Sequence, residues 1–359
     1  MNSGARQKIH LVHLTSAPGG LEVLLPEIVS SLPSYDFSLF IIRPPVKETP
    51  DVYAGTEVEK NYGSGNNFAA VIRLWKYVSS NNKDIFHLFN TGPLFLLVMR
   101  LAEAGKLVYS IHGTVYWNTK FQKVIRKMIW KLAISDKYMF TANSSYSKQV
   151  FLDTVCKLPK NIEVVYNPIF VNPVSMGGTE KKKEHFRIGY AGRLVEGKNL
   201  FLWLKVAQRI SSVFADISFR LYGDGRLKNQ LVRYCDELGI NDRVKFAGFL
   251  SNISEAYYTC DLMLFLSERE SFGNGVVESV LCGTPALVSD IPAFREIMIN
   301  WPQYIIPRDS HPEEAVLEKI KHFEDLKRNL PAVTVEFKTR FSAAQHMEKI
   351  SKIYEAFPA

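Results

Sequence analysis

The 359-residue chain has no apolar run near the roughly 18–20 residues that span a bilayer. Its N-terminus stays polar through Lys8 and passes directly into a short apolar segment, so the hydrophobic core of a secretory signal is also lacking. Cysteine is sparse. Cys156, Cys235, Cys260 and Cys282 are scattered without a CxxC or a paired histidine, which points to reduced thiols in a cytosolic protein rather than disulfides or a metal site. There is no internal repeat, low-complexity tract, zinc module, helix-turn-helix pattern or RNA-binding sheet motif, so nucleic acid is not an expected partner. No DxD-like or His-rich cluster occurs, so neither a metal nor another cofactor is expected.

What is present is an ordinary apolar fraction of 47% and a net charge of +8, unevenly placed. Residues 120–160 hold 9 Lys/Arg against 2 Asp/Glu, and the rest of the chain is close to balanced. A positive field so focused favours an anionic partner such as phospholipid headgroups or a lipid diphosphate. Within that stretch, residues 117–132 predict a helix. Phe121, Val124, Ile125, Met128 and Leu132 form one stripe, and Lys120, Lys123, Lys127 and Lys131 line another face. Two readings stand side by side: a surface helix packed on its own domain, or a contact with an anionic membrane surface through residues 117–160.

Short apolar segments alternate with longer amphipathic ones, the pattern of parallel βαβ units. Strands are predicted at 9–14, 37–42, 85–89, 107–111, 138–141 and 163–166, and again at 187–190, 218–222, 244–246, 262–266, 285–288 and 304–306. Between the two series, residues 172–185 are polar and hold Pro173, Gly177, Gly178 and Lys181 to Lys183, the best linker in the chain. The organisation predicted is a domain over 1–171, a linker over 172–185, a second domain over 186–339, and a final helix within 340–359.

In open α/β sheets, ligands sit beyond the carboxyl ends of the strands, so the chemistry should lie in the loops there. The most specific loop runs from Glu270 to Glu278 (ESFGNGVVE), with a helix starting near Asn274. Backbone N–H groups around Gly273 can hold an anion or sugar hydroxyls. The two carboxylates are spaced to grip two ends of an elongated ligand, because each accepts hydrogen bonds from vicinal hydroxyls. Arg193 and Lys198 follow the strand at 187–190, and two fixed cations there can stabilise a diphosphate leaving group without a metal. Gly223-Asp224-Gly225 is a further strand-end turn, with a structural role the simpler account. In the first half, Gly19-Gly20 follows the first strand and lets backbone approach a phosphate. His112 ends the strand at 107–111. Pro26 falls inside the helix after Gly19-Gly20, where an interior proline costs about 3 kcal/mol or kinks the helix.

Taken together these residues resemble the group-1 family of retaining glycosyltransferases of GT-B fold. The likeness covers most of the chain and is densest over 187–296, where the Gly-Arg-Leu…Lys-Asn, Gly-Asp-Gly, Glu-x7-Glu and Cys-Gly-Thr-Pro motifs fall in the family's order. The resemblance implies an α/β protein of two Rossmann-like domains facing each other across a cleft, the last helix crossing back to the N-terminal domain. It implies that Arg193 and Lys198 hold the donor diphosphate. Glu270 binds the transferred sugar beside the amides of Ser271, Phe272, Gly273 and Asn274, and Glu278 binds the ribose. Gly19 and Gly20 face the phosphates, His112 lies near the reaction centre, and the base sits near Gly248 and Asn252. The implied reaction transfers a hexose or N-acetylhexosamine from a nucleotide-diphosphate sugar, UDP first and GDP second, to a glycan or lipid-linked acceptor. It would take place in the cytoplasm or peripherally on the inner face of the cell membrane. Two other readings fit the same residues less fully: a nucleotide-sugar epimerase or hydrolase of this fold, and a non-catalytic basic lipid-binding protein.

Overall fold

The computed structural model describes residues 6–15, 24–44, 53, 57–113, 119–155, 159, 161–171, 185–308 and 311–358. The chain divides into two compact units, Met1–Pro168 with Ala344–Ala359, and Ile169–Ala343. Most of the linker predicted over 172–185 lies outside the described residues, as do Gly19 and Gly20.

The first unit runs β1 (Lys8–His13), α1 (Leu24–Ser31), β2 (Asp36–Ile41), β3 (Glu59–Tyr62), α2 (Asn67–Ser80), β4 (Ile85–Phe89), α3 (Pro93–Leu101), β5 (Lys106–Ile111), α4 (Lys120–Ala133), β6 (Met139–Ala142), α5 (Ser145–Thr154) and β7 (Ile162–Val164). Its seven strands are parallel, in the order β3-β2-β1-β4-β5-β6-β7. Strands covered on both faces read as continuous apolar runs, which is why β1, β4 and β5 are plain in the sequence. The polar β3 (EKNY) pairs with β2 alone and carries no such signal. Pro26 falls within α1 as described, and the residues immediately before Leu24 lie outside the described residues.

The second unit runs β8 (Phe186–Ala191), α6 (Leu200–Ser211), β9 (Ile217–Tyr222), α7 (Lys228–Leu238), β10 (Val244–Gly248), α8 (Ser254–Thr259), β11 (Leu262–Phe265), α9 (Asn274–Leu281), β12 (Ala286–Ser289), α10 (Pro292–Ile297), β13 (Ile305–Ile306), α11 (Pro312–Lys321) and α12 (Phe323–Arg340). Six parallel strands take the order β10-β9-β8-β11-β12-β13. Each sheet reverses its strand order once, between β1 and β4 and between β8 and β11, and the crevice beyond such a reversal is where an open α/β sheet binds ligands.

The last helix, α13 (Ala343–Glu355), returns to the first unit as expected. Tyr354 Oη meets His87 Nδ1 at 2.6 Å, Lys349 Nζ donates to Val164 O at 2.9 Å, and His346 Nδ1 lies 2.8 Å from Tyr166 O. Cys235, Cys260 and Cys282 are buried, and Cys156 lies outside the described residues. No helix among the described residues is long and apolar enough to cross a membrane.

The predicted amphipathic helix forms as α4, capped by Thr119, whose Oγ1 accepts from Gln122 N at 3.1 Å. Its orientation differs from the reading in which the stripe packs on its own domain. Only Trp130 and Ala133 are buried, while Phe121, Val124, Ile125, Met128 and Leu132 are exposed. Periodicity sets which residues share a helix face but not which way that face turns, and here the indole of Trp130 against Tyr109 and Phe151 anchors the helix.

Candidate active site

In the second unit, the loops after β8, β9 and β11 are tied into one block by backbone contacts. Leu194 N donates to Asp224 O at 2.9 Å, Leu227 N to Leu194 O at 3.1 Å, and Glu268 N to Gly197 O at 2.9 Å. The close approach of the first two loops explains Gly223 and Gly225. A Cβ at Gly223 would lie 2.0 Å from Gly192 O, and one at Gly225 would lie 2.4 Å from Leu194 O. The Gly-Asp-Gly turn is therefore a spacer that lets the β8 loop settle, and the β8 loop carries Arg193 and Lys198.

That block brings Lys198 and Glu270 together. Their ion pair links Lys198 Nζ to Glu270 Oε1 with both side chains largely shielded, and Ser267 Oγ donates to the same oxygen at 2.9 Å. Ser267 is held in turn by Ser289, whose Oγ donates to Ser267 O at 2.5 Å. Arg193 is exposed on the same loop, its carbonyl accepting from Tyr190 Oη at 3.1 Å. Burial, reinforced by the nearby Glu270 carboxylate, holds the Tyr190 phenol far up in its protonated form, with Arg193 opposing.

Glu278 lies one turn into α9, partly buried, and accepts from Tyr257 Oη at 2.5 Å through Oε2. Burial raises its carboxyl above the usual carboxylate range, and the Tyr257 hydrogen bond works against that rise. The two carboxylates thus have separate partners and no shared proton. Gly273 caps α9 at φ +120°, where a Cβ would press within 2.7 Å of the Phe294 ring. Ser271 lies in the loop before it and Asn274 opens α9, at the helix end where first-turn amides have no intrahelical acceptor. Phe272 departs from its neighbours: its side chain is buried against Phe341, which leaves only its main chain for a ligand. At the end of β10, Gly248 takes φ +76° and its carbonyl accepts from Gly223 N at 2.7 Å. Asn252 Oδ1 accepts from Ser254 N at 3.1 Å at the start of α8.

His112 lies in the first unit, directly after β5. Its imidazole is pushed down to about 3 by burial first, then by His346 and His13, with an Asn167 hydrogen bond opposing. It is neutral at physiological pH, able to exchange hydrogen bonds but not to carry charge. His13 and His346 are buried and each is held down to about 4. His13, His346 and Asn167 beside His112, and Tyr257 and Ser267 beside the carboxylates, are not singled out by the sequence. The positions of His13 and Ser267 at or just past the ends of β1 and β11 are the signal that could have found them. Among the described residues no three His, Cys, Asp or Glu side chains gather as metal ligands would.

Residues 173–339 match the family model of glycosyl transferases group 1, and residues 18–172 match that of glycosyltransferase family 4. The chain belongs to the group 1 glycosyltransferases. One relative of this glycosyltransferase is the N-acetyl-alpha-D-glucosaminyl L-malate synthase of Bacillus anthracis, 26% identical over 64% of this chain and 62% of that protein. A second is the UDP-Gal:alpha-D-GlcNAc-diphosphoundecaprenol alpha-1,3-galactosyltransferase of Escherichia coli, 24% identical over 62% of this chain and 62% of that one. The matches therefore span a little under two thirds of those relatives. Among solved structures, Anabaena Alr3699/HepE in complex with UDP superimposes with a TM-score of 0.82 at 18% identity, over 98% of this chain and 100% of that one. That likeness gives the glycosyltransferase its fold, α/β with two Rossmann-like domains of the GT-B type.

Proposed function

We propose that this glycosyltransferase moves a hexose or N-acetylhexosamine from a nucleotide-diphosphate sugar to a glycan or lipid-linked acceptor, with retention of anomeric configuration and without a metal. The observation that carries this reading is the Lys198–Glu270 pair on the two loops that follow β8 and β11, with Arg193 on the first of those loops and Glu278 one turn into α9, which follows the second. A diphosphate brings negative charge that Arg193 and Lys198 can meet, and that charge grows as the glycosidic bond breaks. Sugar hydroxyls suit Glu270 and the α9 amides, ribose hydroxyls suit Glu278, and the loop at Gly248 and Asn252 suits the base. In the free protein Lys198 and Glu270 neutralise one another, so the donor replaces each as the other's partner. His112 would act near the reaction centre as a neutral hydrogen-bonding group, and Gly19 and Gly20 would face the phosphates. UDP is the nucleotide expected first, since the galactosyltransferase relative is named for UDP-Gal and the Anabaena structure holds UDP; GDP comes second. The diphosphoundecaprenol in that relative's name supports a lipid-linked acceptor, reached from the cytoplasm at the inner face of the membrane.

A thermal-shift screen of nucleotide sugars and free nucleotides tests the donor, because a ligand of the native state raises the melting point by mass action. The expected result is a rise with UDP or a UDP-sugar that Glu270→Ala diminishes. Transfer should fall about 100-fold or more in that variant and should persist in EDTA. No shift with any nucleotide sugar, or full activity in Glu270→Ala, overturns the reading.

A further inference from the structure

Large apolar side chains left in solvent are not spread evenly over this molecule. Of the seventeen exposed among the described residues, three lie on α2, two on α3 and five on α4. These helices are neighbours, α3 packing against α2 on one side and α4 on the other. Arg100 of α3 strengthens the second contact, donating to the carbonyls of Leu132 at 2.6 Å and Ile134 at 2.8 Å. On α2 the exposed residues are Phe68, Ile72 and Trp75, at the spacing of a single helix face. On α3 the exposed pair is Leu94 and Leu101, and Phe121 on α4 is 74% exposed. Isolated apolar residues on a surface are ordinary, but ten of them on three helices packed side by side mark a site of interaction.

The charge of the same helices says what covers it. α2 contributes Arg73 and Lys76, α3 Arg100, and α4 Lys120, Lys123, Arg126, Lys127 and Lys131, with no Asp or Glu on any of the three. A second copy of the chain is a poor occupant, because pairing this face with itself would oppose two wholly cationic surfaces. Apolar side chains set among cations with no carboxylate fit the boundary between lipid headgroups and acyl chains, aromatic and aliphatic groups entering while the cations meet anionic heads.

We propose that α2, α3 and α4 together form the face by which this protein seats on an anionic lipid bilayer, with Trp75 and Phe121 entering the interface. This deepens the reading of a membrane-associated transferase and rests on it only for the acceptor. The contact is a three-helix face rather than the basic stretch 117–160, since α2 and α3 supply half of its apolar groups. α4 begins eight residues after His112 in the chain.

Co-sedimentation of the full chain with phosphatidylcholine vesicles, with and without phosphatidylglycerol, tests this. Binding is expected to the anionic vesicles and to weaken with salt. Lys123→Glu with Lys127→Glu should lower affinity about 25-fold or more, at about fivefold for each cation removed. Phe121→Ser with Met128→Ser should weaken it at least as much while leaving the charge intact. The emission of Trp75, isolated by difference against Trp75→Phe, should move to the blue on binding. All these side chains are at the surface, so the melting point and its shift with UDP should be unchanged in every variant. The proposal is overturned by equal affinity in the variants, by an unmoved Trp75 spectrum, by self-association through this face, or by capture of single-stranded oligonucleotide with vesicles ignored. A UDP shift without vesicle binding overturns this inference alone, and vesicle binding without a shift for any nucleotide sugar overturns the donor reading alone.

Discussion

At the residue scale, the carboxylates and cations of the second unit are legible because each belongs to a strand-end motif whose spacing limits what the side chain can do. Glu270, Lys198 and Glu278 fall where those motifs put them. Their supports are not legible: Tyr257 comes from a different helix and Ser267 from the residue before a charged loop, and only folding makes them neighbours. Glu278 has a thermodynamic consequence. Burial raises its carboxyl in the folded chain, so the native state favours the protonated form. Whatever stability this group provides is present at low pH and is lost as pH rises through the raised value. Glu278→Gln keeps an acceptor for Tyr257 and removes the charge. At pH 7 it should raise the melting temperature while weakening UDP binding. Calorimetry of the two proteins at pH 7 checks it, and a lower melting point in the variant counts against the assignment.

At the scale of elements, buried parallel strands announce themselves, and their carboxyl ends then give the loops worth examining. β3 escapes because an edge strand with one neighbour needs no apolar run. α4 shows a different limit: its stripe is correct and its facing is not recoverable from period alone. α13 is the element whose role is most non-local. The Tyr354 hydroxyl completes a buried chain through His87, Ser110 and Thr141, with Ser110 Oγ at 2.6 Å from both His87 Nε2 and Thr141 Oγ1. Tyr354→Phe leaves His87 Nδ1 without that partner in the core and should cost about 1–3 kcal/mol. The loss should appear in urea melts as a lower midpoint with an unchanged slope.

At the scale of the whole molecule, the two units differ in how they respond to acid. In the first, His13 and His346 are buried and take a proton only near pH 4, whereas the unfolded chain takes it near 6.5. Between those values the unfolded state binds more protons, so stability falls as pH drops, by about 1.4 kcal/mol per histidine per pH unit. The second unit has no histidine among its described buried residues. Hydrogen exchange at pH 7 and pH 5 should therefore show protection falling first in β1, β5 and α13 while β8 and β11 hold, and a uniform loss over both sheets would contradict this. The return of α13 carries one more consequence, which concerns synthesis. The bond from His87 to Tyr354 spans 267 positions of chain, and the whole second unit is translated between its two ends. On the ribosome the unit made first must therefore wait, its sheet exposed along the seat of α13, until the unit made second has emerged and closed. The protein is finished from its middle outward, and a released chain truncated after residue 343 would hold every residue of the second unit but a first unit that lacks α13.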